Sequence, residues 1–368
     1  MIQTSSMSAH DRLTAALRGE PVDFLPFSPF LAYVWESFPR EVQEAGQLAF
    51  HERIGATPLW RGAPCPVRAV LPSDVAITTL RQGHRTFVEI ATPVGVLHQV
   101  QRHSDQGNTE FLVEHPLKTA ADYDVQLWIE EHTTFEVDLT PVREHLAGDG
   151  REGLSIGMLL PRSKSAFQML VEHHIGTEEL AFALADVPDV VETLWETMVA
   201  NDLEAAHLAL GTGFYTYYLT WEDSSTQNYS PRQYERYIAS EIRQWCTMLE
   251  ANEMAYIQHA CGHLRHLLPL MRDSGIAGVE SISPRPTGDI SLHEAREVLG
   301  SGVAIIGGIE PTHFLSLSME ALGPYVEQVI GDAHGGPFVL ANSDSCPPGV
   351  TVEKFVRVAE IARHARDW

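Results

Sequence analysis

From residue 150 onward the chain repeats one rhythm, and that rhythm limits what it can fold into. Short apolar runs fall at 154–160, 214–221, 254–259, 278–282, 303–309 and 338–341. Between them lie stretches of helical period, for example 178–198, 231–252 and 292–299. Strands that alternate with helices in this way build a parallel sheet. Runs at 25–30 and 57–60 bring the strand count to eight, which predicts an α/β fold, a (β/α)8 TIM barrel. The competing open, doubly wound sheet would place a glycine-rich phosphate turn after its first strand, and none occurs. Ahead of the barrel core, Ser8 caps a helix over 9–18 that Gly19 ends. Residues 75–114 break the rhythm: three alternating runs separated by turns predict an antiparallel β insertion. The expected organisation is a single domain over 1–368.

Charge narrows the function. Among 368 residues, 25 basic side chains face 49 acidic ones, a net charge of −24. Such a surface repels phosphate backbones and anionic lipid, which argues against nucleic-acid and membrane partners. Residues 1–10 are polar and lack the basic and apolar regions of a signal peptide, so the expected compartment is the cytoplasm. There, Cys65, Cys246, Cys261 and Cys346 are read as core, ligand or nucleophile rather than as disulfides.

The strongest chemical signal is Gln258-His259-Ala260-Cys261-Gly262 at the end of an apolar run. Active sites of barrels are built at the C-terminal ends of their strands. His-x-Cys sets an imidazole and a thiol on one side of an extended backbone, where both can meet one tetrahedral ion. Cys346 follows the last apolar run and would supply a distant third ligand, leaving the open fourth position of a catalytic zinc. The alternative is two buried cysteines and a core histidine. The pairing of His-x-Cys-Gly with a second cysteine, each after a predicted strand, favours metal.

Other features surround this one. The aromatic run 217–221 ends in Glu222 and Asp223; alternation lets at most one of them face the barrel mouth. The other reading of these acids is a capped turn. His263 and His266 follow on an expected helix as ordinary polar residues. Gly307 and Gly308 end another strand, where paired glycines admit close backbone approach or simply a tight turn. Asn342, Ser343 and Asp344 precede Cys346 and could hydrogen-bond within the site. Cys65 is placed in a loop, and Cys246 inside a helix.

In order along the chain, several segments resemble the uroporphyrinogen decarboxylase superfamily, and within it the cobamide-dependent methyltransferases. They are the opening 12–23, His115-Pro116-Leu117-Lys118-Thr119, Ser230-Pro231, Gly288-Asp289-Ile290 and Gly307-Gly308-Ile309. The decarboxylases carry an arginine-rich Arg-Gln-Ala-Gly-Arg segment near the N-terminus. Here that region reads Phe30-Leu31-Ala32-Tyr33-Val34-Trp35-Glu36, so a polycarboxylate substrate would lack its cationic partners.

The resemblance implies zinc on His259, Cys261 and Cys346, with Glu222 as the candidate acid that completes the shell. Glu222 and His259 are then the catalytic residues, and Gly307 and Gly308 the cofactor-binding ones. It implies methyl transfer between a small substrate and a cobamide. The apolar segment around Phe30, Tyr33 and Trp35 suits a methyl ether. The usual cobalamin signature is Asp-x-His-x-x-Gly, and the nearest match, Asp332-Ala333-His334-Gly335-Gly336-Pro337, has proline at the glycine position. The cobamide is therefore expected on a separate corrinoid protein. A homodimer is common for such barrels. The alternatives are a metal-free decarboxylase of the same family and a non-catalytic binding barrel.

Overall fold

The computed structural model describes residues 7–104 and 109–365. Seven parallel strands form one curled sheet in chain order: β1 (Leu59–Ala63), β2 (Leu154–Met158), β3 (Tyr217–Thr220), β4 (Ala255–His259), β5 (Gly278–Ile282), β6 (Ala304–Ile309) and β7 (Phe338–Asn342). The segment expected as an eighth strand lies between β7 and β1. There Phe27 makes a single parallel bridge to Leu340, and the Thr57 amide donates to the Phe27 carbonyl at 2.8 Å. Pro26 and Pro29 have no N–H, so this segment cannot carry a longer ladder.

One face of each strand points inward. Leu59, Ile156, Leu219, Ile257, Ile306 and Val339 meet in an inner core. Leu13, Ala16 and Leu17 of the helix Ala9–Arg18 join the same cluster, beside residues such as Leu154 and Ala304 that begin their strands. That helix therefore plugs the N-terminal end of the sheet and leaves the C-terminal end as the mouth. Its ends are those the sequence predicts: the Ser8 hydroxyl accepts from the Asp11 amide, and Gly19 adopts a left-handed conformation. An outer core packs helices such as Pro188–Leu210, Ser240–Glu250 and Val352–His364 on the strands' other face.

The insertion is an antiparallel sheet of four strands, Ala76–Gln82, Arg85–Thr92, Gly95–Ser104 and Thr109–Glu114. It packs on the helix Ala120–His132, close enough at Gly95 that a Cβ would sit 2.6 Å from Val125. Val67–Val70 pairs with Thr134–Val137 in a small antiparallel ribbon that the local pattern did not signal. Among the described residues, no helix is long and apolar enough to cross a membrane. All four cysteines are free.

Candidate metal centre at the barrel mouth

Strand parity places the side chains. On β4, Ile257 faces the inner core, so His259 does too, and Cys261 lies two residues beyond. On β3, Tyr217 and Leu219 face inward. The strand ends at Thr220, and the chain then turns through Asp223 in a left-handed conformation (φ 35°), which aspartate tolerates better than most residues. The ligand atoms of Asp223, His259 and Cys261 come to lie within 4.8 Å of one another.

Each donor is held from behind. His259 Nε2 stands 3.2 Å from Asp223 Oδ1, while its Nδ1 is 2.5 Å from Glu280 Oε2 on β5. Glu280 Oε1 accepts from Arg61 Nη1 of β1 at 2.7 Å, and Arg61 Nη2 donates to the Ser28 carbonyl at 3.0 Å. Lys164 Nζ donates to Asp223 Oδ2 and to the Trp221 carbonyl, and pairs with Glu172 at 2.9 Å. Asp223 Oδ1 is thereby left for the cluster, where the Cys261 thiol reaches it at 3.5 Å.

Electrostatics follow from these contacts. Burial disfavours the His259 imidazolium, but the carboxylates of Glu280 and Asp223 outweigh it and raise His259 well above its ordinary value. Burial would raise Asp223, yet the hydrogen bond and charge of His259, and those of Lys164, hold it well below the usual carboxylate range. Burial pushes the Cys261 thiol up to about 11, against the pull of His259. Asp344 is raised by burial and by the nearby charges of Glu280 and Asp223.

The donors fit zinc. Carboxylate oxygen, imidazole nitrogen and thiolate sulfur are its usual protein ligands. A ligating histidine typically gives its other nitrogen to a carboxylate, the part Glu280 takes here. An aromatic wall flanks the group: Phe30 and Trp221 stack with centroids 5.6 Å apart, and Trp221 meets His259 edge-on at 5.0 Å.

Four expectations are corrected or relocated. Glu222 is not beside the donors. It is fully buried behind the strand, where its carboxylate accepts from the Ser165 amide at 2.8 Å, from the Ser165 hydroxyl at 2.6 Å and from the Thr220 hydroxyl at 2.6 Å. Asp223 takes the mouth position instead. Cys346 lies outside the cluster: it is fully buried in the outer core, and Lys354 is the charged group that bears on it. Gly307 and Gly308 have positive φ, and a Cβ on either would meet protein at 2.9 Å (Ser343 Oγ) or 2.7 Å (Val329), so packing accounts for both. His263 and His266 sit in a loop, because the next helix begins only at Leu268.

The neighbours of Cys346 act on the wall. The Asn342 amide side chain bonds both backbone groups of Phe30, each at 2.9 Å. Trp35 packs away from the mouth against Phe38 and Phe50, and Tyr33 is half exposed. Sequence reading missed Glu280, Arg61 and Lys164. For Glu280 a signal existed: an acid inside Gly278-Val279-Glu280-Ser281-Ile282, a run buried on both faces, must find a partner.

A curled seven-stranded parallel sheet closed by an N-terminal helical plug, with a candidate metal-ligand cluster at its C-terminal end, defines an α/β fold of the barrel type. The sequence profile of uroporphyrinogen decarboxylase (URO-D) matches residues 177–365, just over half of the chain, and the chain belongs to that family. A methyltransferase from Methanosarcina mazei superposes with a TM-score of 0.60 at 14% identity, covering 97% of this chain and 98% of that one. At that identity the likeness establishes a common fold. A B12-independent methionine synthase from Shewanella sp. W3-18-1 reaches a TM-score of 0.45 at 10% identity over 92% of this chain and 97% of its own. No protein of curated function matches the sequence.

Proposed function

We propose that this chain is a zinc-dependent methyltransferase of the cobamide-dependent branch, moving a methyl group between a small donor such as a methyl ether and the cobamide of a separate corrinoid protein. The convergence of Asp223, His259 and Cys261 at the mouth carries the reading. Family membership and the fold shared with a methyltransferase support it. Zinc bound there would supply Lewis acidity to a substrate oxygen or lower the pKa of a thiol.

The chain's own groups do the rest. Asp223 Oδ1, His259 Nε2 and Cys261 Sγ would hold the ion. Lys164 and Glu280 keep the first two aimed. Phe30 and Trp221 give the methyl donor an apolar surface and keep water from it. His334 precedes β7, so the imperfect cobalamin signature lies at the plugged end, away from the mouth. That separation favours a cobamide brought by a partner. Decarboxylation of a polycarboxylate finds less support, because Arg61 and Lys164 are already engaged by Glu280, Asp223 and Glu172.

The test is to load the protein with zinc and incubate it with cob(I)alamin and a panel of methoxy-, methylamino- and methylthio-compounds. Methylcob(III)alamin absorbance with at least one donor, lost in Asp223→Asn, is the expected result. Zinc-loaded protein inert toward every donor class would overturn the reading.

A further inference from the structure

We propose that the cleft beside the loop after β2 is a second ligand site, separate from the barrel mouth, that takes a neutral aromatic alcohol of the phenol class. The proposal is independent of the methyl-transfer reading. The cleft holds about 610 Å3, within the usual range for small-molecule sites. It lies between the ribbon of Val67–Val70 and Thr134–Val137, the helix Ala120–His132 and the chain that follows β2. Pro64, Val67, Ile129, Phe135, Pro161 and Met169 make most of its wall apolar. None of the three candidate metal donors lines it. The loop after β2 divides the two sites. Lys164 pairs with Asp223 and Glu172 on the mouth side, whereas Arg162 pairs with Glu130 and with Asp202, each at 2.9 Å, on the cleft side.

Charge and hydrogen bonding in the wall name the ligand. Arg162 is matched by Glu130 and Asp202, Arg68 pairs with Glu136 at 2.6 Å, and Asp138 accepts from the Thr140 amide at 3.0 Å. A charged ligand would therefore find no unengaged counter-charge. Gln126 donates to Glu130 Oε1 at 3.0 Å, the Thr133 hydroxyl to the Ile129 carbonyl at 2.8 Å, and the Cys65 thiol to the Leu159 carbonyl at 3.8 Å. His174 is the exception: its imidazole has no hydrogen-bond partner among the described residues. It ends a π turn, Leu170–His174, a wide helical form that recurs at functional sites. The charges that bear most on the ring are Glu130 and Arg162, both in the wall, which sets it on the cleft side. Burial lowers its pKa to about 4, so at neutral pH the ring is uncharged and carries one N–H and one lone pair. A hydroxyl, donor and acceptor in one atom, satisfies either tautomer. Phe135 and the Met169 thioether favour an aromatic ring as the apolar body.

Calorimetric titration of the full-length protein at neutral pH with 4-propylphenol, propylbenzene and 4-propylbenzoate tests this. The phenol should bind as one molecule per chain, about tenfold or more tightly than either of the others, the difference that one enclosed hydrogen bond makes. His174→Phe keeps an aromatic wall without the hydrogen bond and should abolish the preference. His174→Gln can still donate and accept, and should keep it. Trp221→Ala alters the mouth and should leave phenol binding within about twofold of wild type, because Trp221 does not line the cleft. Thermal melts show that each variant is folded. Wild type that binds no phenol or binds all three compounds equally, a preference that survives His174→Phe, or phenol binding lost in Trp221→Ala would each overturn the proposal.

Discussion

Replacing Glu280 tests the logic of the whole site. The residue is fully buried, and it links the Arg61 guanidinium at 2.7 Å to His259 Nδ1 at 2.5 Å. In Glu280→Gln the shape is kept, and the amide oxygen can still accept from Arg61. The amide NH2 then faces Nδ1 and forces that nitrogen to accept. His259 Nε2 would have to carry the proton, in place of the lone pair a metal needs. Losing the support of a ligating histidine typically weakens metal binding 10–100-fold, about 1.4–2.7 kcal/mol. Competition with a chromophoric zinc chelator measures this directly. Glu280→Ala should cost more in folding, about 3–5 kcal/mol, because it leaves Arg61 charged, buried and unpaired. The pair Arg61→Met/Glu280→Leu removes both charges, so it should recover most of that stability while zinc binding stays weak. If Glu280→Gln bound zinc within about threefold of wild type, or if the double variant restored tight binding, Glu280 would not be positioning His259.

Other outcomes follow from the same geometry. Asp223→Asn should lower zinc affinity, whereas Glu222→Gln should leave it nearly unchanged and instead cost about 1–3 kcal/mol of stability in urea unfolding, through its mismatched buried hydrogen bonds. Cys261→Ala should lose zinc and Cys346→Ala should keep it, as metal analysis of the purified variants would show. His51 is held neutral in the core, its pKa lowered by burial from 6.5 to about 4, so between those values the unfolded chain binds the proton and the folded one does not. Its contribution, about 3 kcal/mol, is therefore present above pH 6.5 and lost as pH falls toward 4. Melts at pH 7 and pH 4.5 should show a smaller acid loss in His51→Phe than in wild type.

Local pattern alone determined a good part of this protein. Alternating apolar runs and helical stretches specified an α/β fold with a parallel sheet, Ser8 and Gly19 bounded the first helix, and turn-separated runs announced the antiparallel insertion. His259 and Cys261 were legible as a pair because two residues of the same strand parity must share a face. Those signals are encoded within a few residues of one another. What lay beyond reach depends on contacts between distant segments. The choice of Asp223 over Glu222 rests on where β3 ends and how the chain turns there, held by a lysine 59 positions away. Arg61 and Glu280, 219 positions apart, became partners only when the sheet curled and set β1 and β5 around one mouth. Cys346 follows a strand as expected, yet packing turned its side chain into the outer core. A buried charge or thiol takes its role from whatever satisfies it, and that partner is chosen by register and packing rather than by neighbours in the chain.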